Sequence, residues 1–217
     1  MEASHIVELL QPFLAAPGGK ECARLSDQQL SQISIYIDIL LRWNARINLT
    51  AVRDSENIVT RHFGESLFAA HLAASPNPKR LVDVGSGAGF PGLPIKIWMP
   101  HLHVTLIESN HKKATFLREV IRALGLTEID VFAGRAEDFP AASADPVTLR
   151  AVERFESVLP TAARLVAPGG RLLLMIGRDQ VPSSNRMPGI HWNAPVAVPL
   201  SNSRVVLLGT QADEPTK

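Results

Sequence analysis

Hydrophobic and polar positions change their spacing near residue 80, and this change divides the chain into predicted parts. Before it, apolar residues recur at intervals of three and four, as they do on one face of a helix. After it, short apolar runs alternate with helical patterns, which is the order that builds a parallel sheet covered by helices. The pattern therefore predicts an α/β fold with an N-terminal helical cap (1–79), a core (80–210) and a tail (211–217).

The predicted cap contains three helical segments. The best specified one follows Ser26, where a Ser-x-x-Gln pattern indicates a capping box, and it ends near Trp43. A shorter segment covers Ser4 to Ala15 and is stopped by Pro17-Gly18-Gly19. The third is predicted from about Ser55 to Ala74, and a linker containing two prolines leads from it into the core.

The predicted core alternates strands and helices along the chain. The expected strands are 81–84, 103–109, 129–132, 147–150 and 171–177, and the expected helices are 93–98, 110–124 and 155–166. The segments 196–200 and 205–208, joined by a short polar turn, predict a hairpin that adds antiparallel strands to the sheet edge. We therefore expect a mostly parallel sheet of seven strands.

Composition places the chain among ordinary globular proteins. Its 217 residues are 46% hydrophobic and 20% charged, enough for one core domain with an appendage. No apolar run approaches the roughly 20 residues of a membrane span, and the N-terminus lacks the basic start of a secretory signal. The single cysteine, Cys22, excludes a disulfide within the chain and a cysteine-based metal site. We expect a cytoplasmic protein without membrane contact and without a metal.

The most informative chemistry lies in the turn after the first core strand, which has glycines at 85, 87 and 89. Glycine permits positive φ, and it lacks the Cβ atom that would hold a ligand away from the backbone. A dinucleotide fingerprint needs a small residue where Phe90 stands, and no Gly-Lys-Ser/Thr follows for a phosphate-binding loop. The remaining pattern, Asp-x-Gly-x-Gly-x-Gly, is typical of methyltransferases that use S-adenosylmethionine (SAM), although a tight turn without a ligand stays open.

An acidic residue at the end of the second predicted strand supports a nucleoside site. Glu108 lies 23 positions after Gly85. In nucleotide-binding α/β folds, the acid at this place accepts hydrogen bonds from the ribose hydroxyls. A solvent-facing carboxylate is the alternative. Together, the glycine turn and Glu108 favour a nucleoside-binding α/β domain.

Charge is uneven along the chain, although the net charge is only +1. The segment 110–122 carries four basic residues and one acid, which gives a local charge of +3. Lys112 and Lys113 stand in its first part and are candidates for contacting RNA phosphates. A solvated helix face would have the same composition, so charge alone leaves both interpretations open.

Several motifs together resemble the ribosomal RNA small subunit methyltransferase G family. They are Trp43-Asn44, Asn48-Leu49-Thr50, Arg61-His62-Phe63, DVGSGAGFPG at 83–92, LIESNHKKATFL at 106–117, RAED at 135–138 and LRAV at 149–152. The resemblance extends from about Leu30 to Leu208. It implies a Rossmann-like class I fold and SAM-dependent methylation of N7 of one guanine in the decoding-region loop of 16S rRNA. The small ribosomal subunit is then the expected partner, and we expect the enzyme to act as a monomer.

The same resemblance implies a set of site residues. The expected SAM-binding residues are Gly85, Gly87, Phe90, Glu108, Ala136, Glu137 and Arg150. The pair Ala136 and Glu137 is placed on the adenine side, although Glu137 could equally be an exposed acid at a helix start. Arg150 ends a buried strand and requires an anionic partner, for which the SAM carboxylate or an RNA phosphate would serve.

The expected RNA contacts are Lys112, Lys113, Arg150 and Arg154, and the candidates for stacking on the target base are Phe90, Arg150 and Arg154. No catalytic base is expected, because guanine N7 carries a lone pair and no proton, so alignment is the main task. His62 is interpreted as a structural hydrogen-bonding residue. Two positions depart from the family pattern. Ile176 stands where the family usually has lysine, and Glu65 stands where aspartate is more frequent.

Three other functions stay open at this stage. A small-molecule methyltransferase would share the SAM site and could use the helical cap as a lid over an apolar substrate. A catalytically silent module that binds SAM or RNA stays open because Ile176 replaces the family lysine. A dehydrogenase is the third, and Phe90 within the glycine turn argues against it.

Overall fold

The computed structural model describes residues 1–14, 24–72, 80–151 and 155–212. Its helices are α1 (Ala3–Leu14), α2 (Asp27–Asn44), α3 (Ser55–Ile58), α4 (Glu65–Leu72), α5 (Gly92–Trp98), α6 (His111–Ala123), α7 (Phe155–Leu165) and α8 (Val181–Ser184). Its strands are β1 (Arg80–Val84), β2 (His103–Ile107), β3 (Ile129–Phe132), β4 (Val147–Arg150), β5 (Arg171–Gly177), β6 (Ile190–Trp192), β7 (Val196–Ala197) and β8 (Arg204–Gln211). The predicted loop at 17–19, the linker at 75–78, most of the tail and Arg154 lie outside the described residues.

The strands form one sheet in the order β3-β2-β1-β4-β5-β8-β6, with β7 also paired to β8. Strands β1 to β5 are parallel, and β8 runs antiparallel to β5. Among the described residues the sheet has eight strands, one more than the seven predicted. The sequence analysis missed Ile190–Trp192, since three residues are too few to show an alternating pattern. The Rossmann-like arrangement and the antiparallel C-terminal pairing agree with the prediction.

The cap is joined to the core by both polar and apolar contacts. Ser26 caps α2 as predicted, and the Gln29 side chain completes the capping box by accepting a hydrogen bond from the Ser26 N–H. The Gln29 amide also donates to the carbonyls of Ile97 and Trp98 at the end of α5. One hydrophobic cluster contains residues of both parts, among them Ile6, Leu10, Leu30, Leu81, Leu93, Val104 and Phe116. Because the cap and the core share this cluster, their packing does not mark a boundary between them, and the boundary at residue 79 stays a prediction.

The third cap segment is helical from Ser55 to Leu72, close to the predicted bounds, but its middle part is π-helical. A π-helical segment, Val59–Gly64, separates α3 from α4 and carries Arg61 and His62. Such segments are uncommon and often occur at functional sites. Apolar spacing did not reveal it, because the buried side of the segment stays hydrophobic through Val59 and Phe63. No helix within the described ranges is long and apolar enough to cross a bilayer.

Candidate functional site

A cavity of about 1170 Å³ opens where β1, β2 and β4 end, the usual place for a ligand in an open α/β sheet. The glycine turn and Glu108 line one part of it, and Arg150, Ile176 and Arg204 line another. The cap contributes His62 and Glu65 to the wall. Pockets for one small ligand usually measure about 300–1000 Å³, so this cavity has room for more than a single nucleoside.

The structure brings most of the predicted site residues to this cavity. The predicted residues in its lining are Gly85, Gly87, Phe90, Glu108, Lys113 and Arg150. Ala136, Glu137 and Lys112 are not part of the lining, and Arg154 is outside the described residues. Glu137 lies in a short 3₁₀ turn, where its exposed carboxylate accepts a hydrogen bond from Arg135 at 3.4 Å. The roles of all these residues stay predictions.

The glycine turn adopts the backbone conformation predicted from its sequence. Gly85, Gly87 and Gly89 have φ values of 67°, 57° and 89°. At Gly89, a Cβ atom would lie 2.4 Å from the Tyr36 hydroxyl oxygen, so packing also requires glycine there. At Gly87, a Cβ atom would meet no atom closer than the Gly85 carbonyl oxygen at 3.7 Å. Gly87 thus leaves open space beside the backbone, in the wall of the cavity.

Glu108 connects the end of β2 to the glycine turn. Its carboxylate accepts hydrogen bonds from the backbone N–H groups of Gly87 and Asn110, both at 2.8 Å. The residue is buried yet lines the cavity. Each carboxylate oxygen can accept two hydrogen bonds, so each retains one free acceptor position relative to these contacts. This geometry suits the predicted binding of ribose hydroxyls.

Asp83 is a buried acid to which the sequence analysis assigned no role. Its carboxylate accepts hydrogen bonds from the Thr148 hydroxyl at 2.7 Å and from the Gly92 N–H at 3.2 Å. Burial raises the pKa of Asp83 to about 6, against the opposite effect of these hydrogen bonds. The residue ties β1 to β4 and to the start of α5. The signal in the sequence is an acid within an apolar strand, Leu-Val-Asp-Val.

Arg150 has an anionic partner within the chain itself, and its expected contact with a cofactor or RNA anion stays a prediction. Arg150 Nη2 lies 3.2 Å from Glu65 Oε2, and Arg204 Nη2 lies 2.6 Å from Glu65 Oε1. The Glu65 side chain is only 3% exposed. Arg150 also donates to the carbonyl of Arg61. These contacts hold Arg150 and Arg204 beside the cavity around one shared carboxylate.

The Phe90 ring is packed against other aromatic rings and does not present an open face to the cavity. Its ring centroid is 5.3 Å from that of Tyr36 and 4.7 Å from that of His62, and both pairs are stacked. The Tyr36 hydroxyl donates to the Ala88 carbonyl, which fixes this group to the glycine turn. Phe90 is only 7% exposed, and these ring contacts account for its burial; its expected stacking on the target base stays a prediction.

His62 is held by polar contacts on both ring nitrogens. Its Nδ1 accepts from Arg150 Nη2 at 3.2 Å, so the Nε2–H is assigned as donor to the Thr50 hydroxyl at 2.8 Å. Burial, followed by the positive charges of Arg150 and Arg61, lowers the pKa of His62 to about 3. A neutral His62 at physiological pH fits the predicted role as a structural hydrogen-bonding residue.

His62 should make the stability of the fold sensitive to acid. Its pKa in the folded state, about 3, is below the unfolded value of about 6.5. As the pH falls from 6.5, the unfolded chain binds a proton that the folded chain refuses, so stability is lost down to about pH 3. We expect urea unfolding from pH 7.5 to 4.5 to show a steeper loss for the wild type than for His62→Gln. The raised pKa of Asp83 has the opposite effect on stability, and this effect is the same in both proteins. If stability falls equally steeply with pH in the wild type and in His62→Gln, the low pKa of His62 is wrong.

The sequence of this chain matches those of proteins of one known family. A model of the family described as rRNA small subunit methyltransferase G matches residues 29–186. This chain belongs to that family. The family members include a ribosomal RNA small subunit methyltransferase G of Roseiflexus castenholzii, 44% identical over 158 residues, 69% of this chain and 66% of that protein. Another, from an Exiguobacterium species, is 42% identical over 180 residues, 81% of this chain and 72% of the relative.

A solved structure supports the fold of this family member. A SAM-dependent methyltransferase from Aquifex aeolicus superposes with a TM-score of 0.56 at 16% sequence identity, covering 73% of this chain and 95% of that one. The likeness shows a class I methyltransferase fold. The match to the Roseiflexus relative spans about two thirds of that relative's length.

The family lysine position is occupied by a buried apolar residue in this chain. Ile176 is 5% exposed and lines the cavity near the end of β5. On the neighbouring strand, Arg204 pairs in register with Gly177, and its guanidinium also lines the cavity. This part of the wall therefore retains a positive charge despite the isoleucine.

Proposed function

We propose that this chain transfers the methyl group of SAM to N7 of a guanine in the decoding-region loop of 16S rRNA. The observation that carries the proposal is the division of one cavity into two parts. The glycine turn and Glu108 form a nucleoside-binding part, and Arg150 and Arg204 form a cationic part beside it. Membership of the family supports ribosomal RNA of the small subunit as the substrate. The choice of guanine N7 is part of the proposal and follows from the resemblance.

The residues of the nucleoside-binding part fit SAM. Gly87 leaves space for a ligand against the backbone, and the Glu108 carboxylate has acceptor positions for ribose hydroxyls. We assign cofactor binding to Gly85, Gly87 and Glu108, with the turn at Ala136–Asp138 as the proposed adenine side. When bound, SAM supplies an electrophilic methyl group on its positively charged sulfonium.

The cationic part of the cavity suits a polyanionic substrate. The basic residues of the lining outnumber the acids by five to three, and they are Arg53, Arg61, Lys113, Arg150 and Arg204. Of the acids, Glu65 is paired with two arginines and Glu108 accepts two backbone N–H groups. An RNA substrate brings phosphates that exploit this positive surplus, whereas an uncharged small molecule would not.

The chain needs to orient the guanine rather than deprotonate it. Guanine N7 presents an in-plane lone pair, so alignment with the methyl group is the principal requirement. Arg150 is fixed by Glu65, the Arg61 carbonyl and His62, and it can therefore hold a base or phosphate without rearranging. His62 is neutral at physiological pH and bonded through both nitrogens, which leaves it no role as a base.

The proposal predicts transfer of labelled methyl from SAM to small ribosomal subunits purified from cells lacking this protein. The expected product is 7-methylguanosine in 16S rRNA, identified by the mass of the released nucleoside. Subunits from cells that contain the protein serve as the control, because their target guanine is already modified. If SAM binds but no label enters RNA, the proposal is wrong and a small-molecule enzyme or a silent module replaces it.

The proposal includes a monomer that works in the cytoplasm. Light scattering on the purified protein should give the mass of one chain, and cell fractionation should recover it away from membranes.

A further inference from the structure

A second cavity, of about 450 Å³, adjoins the first. The two share Asn57, Arg61, Glu65 and Arg204 in their walls. The second continues past them to Pro199 and Leu200, in the connection between β7 and β8. The two cavities therefore adjoin at these four residues, and we call the second one, which reaches Leu200, the Leu200 groove.

Leu200 has two features that packing does not explain. Its side chain is 75% exposed, the largest value among the exposed large hydrophobic residues that the structure describes. Its φ is +58°, a left-handed conformation that costs energy for any residue with a Cβ atom. Glycine or asparagine would suit this backbone better and would expose less apolar surface. An unfavourable backbone conformation that carries an exposed apolar side chain points to a contact outside the chain.

Arg61 supplies a free positive charge at the boundary of the two cavities. The residue is exposed, and its guanidinium makes no ion pair with any part of the chain that the structure describes. Its backbone is fixed, since its carbonyl accepts from Arg150 within the π-helical segment. Glu65, the acid in the lining of the second cavity, is already paired with Arg150 and Arg204. The Leu200 groove thus has unneutralised positive charge.

We propose that the Leu200 groove binds the single-stranded RNA nucleotide next to the target guanine. Arg61 pairs with its phosphate, and Leu200 packs against the face of its unstacked base. Recognition of RNA loops relies on splayed bases, and apolar side chains, leucine among them, pack between bases in other nucleic-acid complexes. A protein partner would need a larger apolar patch than one leucine. This inference rests on the proposed function and adds the path of the RNA.

The test separates RNA binding from methyl transfer by measuring each directly. Leu200→Gly, Leu200→Ala and Arg61→Gln are compared with the wild type for binding of a fluorescent RNA oligonucleotide carrying the decoding-region loop. SAM affinity, urea unfolding and the KM for small subunits are measured on the same proteins. Two surface variants outside both cavities are matched controls, Ile35→Ala for the apolar change and Arg186→Gln for the charge change.

We expect Leu200→Gly to bind RNA about tenfold more weakly, with SAM affinity unchanged and stability equal or higher, since glycine accepts the positive φ. Arg61→Gln should weaken RNA binding and reduce the slope of log K against log salt by about one. The control variants should match the wild type.

Each failure has its own signature. If the wild type binds RNA without methylating it, the proposed function is wrong, and the RNA affinities of the variants still test the Leu200 groove. If Leu200→Gly and Arg61→Gln bind RNA as the wild type does, or if the wild type binds no RNA, the groove proposal is overturned. A Leu200→Gly protein that loses stability, SAM binding and RNA binding together would show a structural role and would also overturn it.

Discussion

Replacement of Glu65 by alanine is expected to lower the free energy of unfolding by about 3–5 kcal/mol. The Glu65 side chain is 3% exposed, and its two oxygens pair with Arg150 at 3.2 Å and Arg204 at 2.6 Å. Alanine would leave two guanidinium groups without their shared anion, and the Arg150 side chain is only 12% exposed to water. Urea unfolding followed by circular dichroism at pH 7.5 measures the loss.

Two variants make the Glu65 experiment specific. Glu65→Asp keeps the charge and shortens the side chain by one methylene, so it should lose less than alanine does. Glu137→Ala removes an exposed acid whose partner, Arg135, is also exposed, and surface pairs of this kind contribute about 0–1 kcal/mol. A loss for Glu65→Ala as small as that for Glu137→Ala would show that the buried pair does not stabilise the fold.

Local sequence patterns predicted most of the sheet. The strands at 129–132, 147–150 and 171–177 have the predicted bounds, because each is a short apolar run between clear turn signals. Gly125 ends α6 with a φ of 62°, as expected of a glycine after a helix. The exception in the sheet is β6, which has three residues and depends on pairing with β8. This pairing is a tertiary contact, and a segment of three residues is too short to show a strand pattern that would predict it.

Local patterns were less informative for the cap. The segment 55–74 has helical spacing throughout, yet a π-helical segment interrupts it at Val59–Gly64. The periodicity of apolar residues indicates which side of a helix is buried. It does not indicate whether each backbone N–H bonds to the carbonyl four residues back, as in an α-helix, or five residues back, as in a π-helix. Arg61 and His62 lie in this π-helical segment and line the cavity.

The candidate site divides in the same way. The glycine turn and Glu108 were predicted because their chemistry lies in short stretches beside predicted strands, and the structure brings them together through the hydrogen bond from Gly87 to Glu108. The Glu65–Arg204 pair spans 139 positions and leaves no local pattern. Sequence reasoning recognised that a buried Arg150 requires an anion, but only the folded chain shows that Glu65 is that anion.

Glu108→Ala is expected to weaken SAM binding by at least about 100-fold, measured by isothermal titration calorimetry. The carboxylate accepts from Gly87 and Asn110 at 2.8 Å, and its remaining acceptor positions are the proposed partners of the ribose hydroxyls. Hydrogen bonds to a charged group contribute about 1.5–3 kcal/mol each, so the loss of two corresponds to a factor of 100 or more.

Glu108→Gln distinguishes ribose binding from support of the loop. Glutamine keeps one acceptor oxygen of the same reach, but its NH₂ group cannot accept the hydrogen bond that Gly87 or Asn110 donates to the second oxygen. We expect an affinity between those of the wild type and the alanine variant, with a free energy of unfolding about 1–3 kcal/mol below the wild type, the cost of one unsatisfied buried N–H. If Glu108→Ala binds SAM within threefold of the wild type, the carboxylate is not a ribose acceptor, and its function is to join β2 to the glycine turn. If both variants lose stability and affinity in proportion, the turn itself depends on the carboxylate, and the weaker binding follows from a displaced backbone.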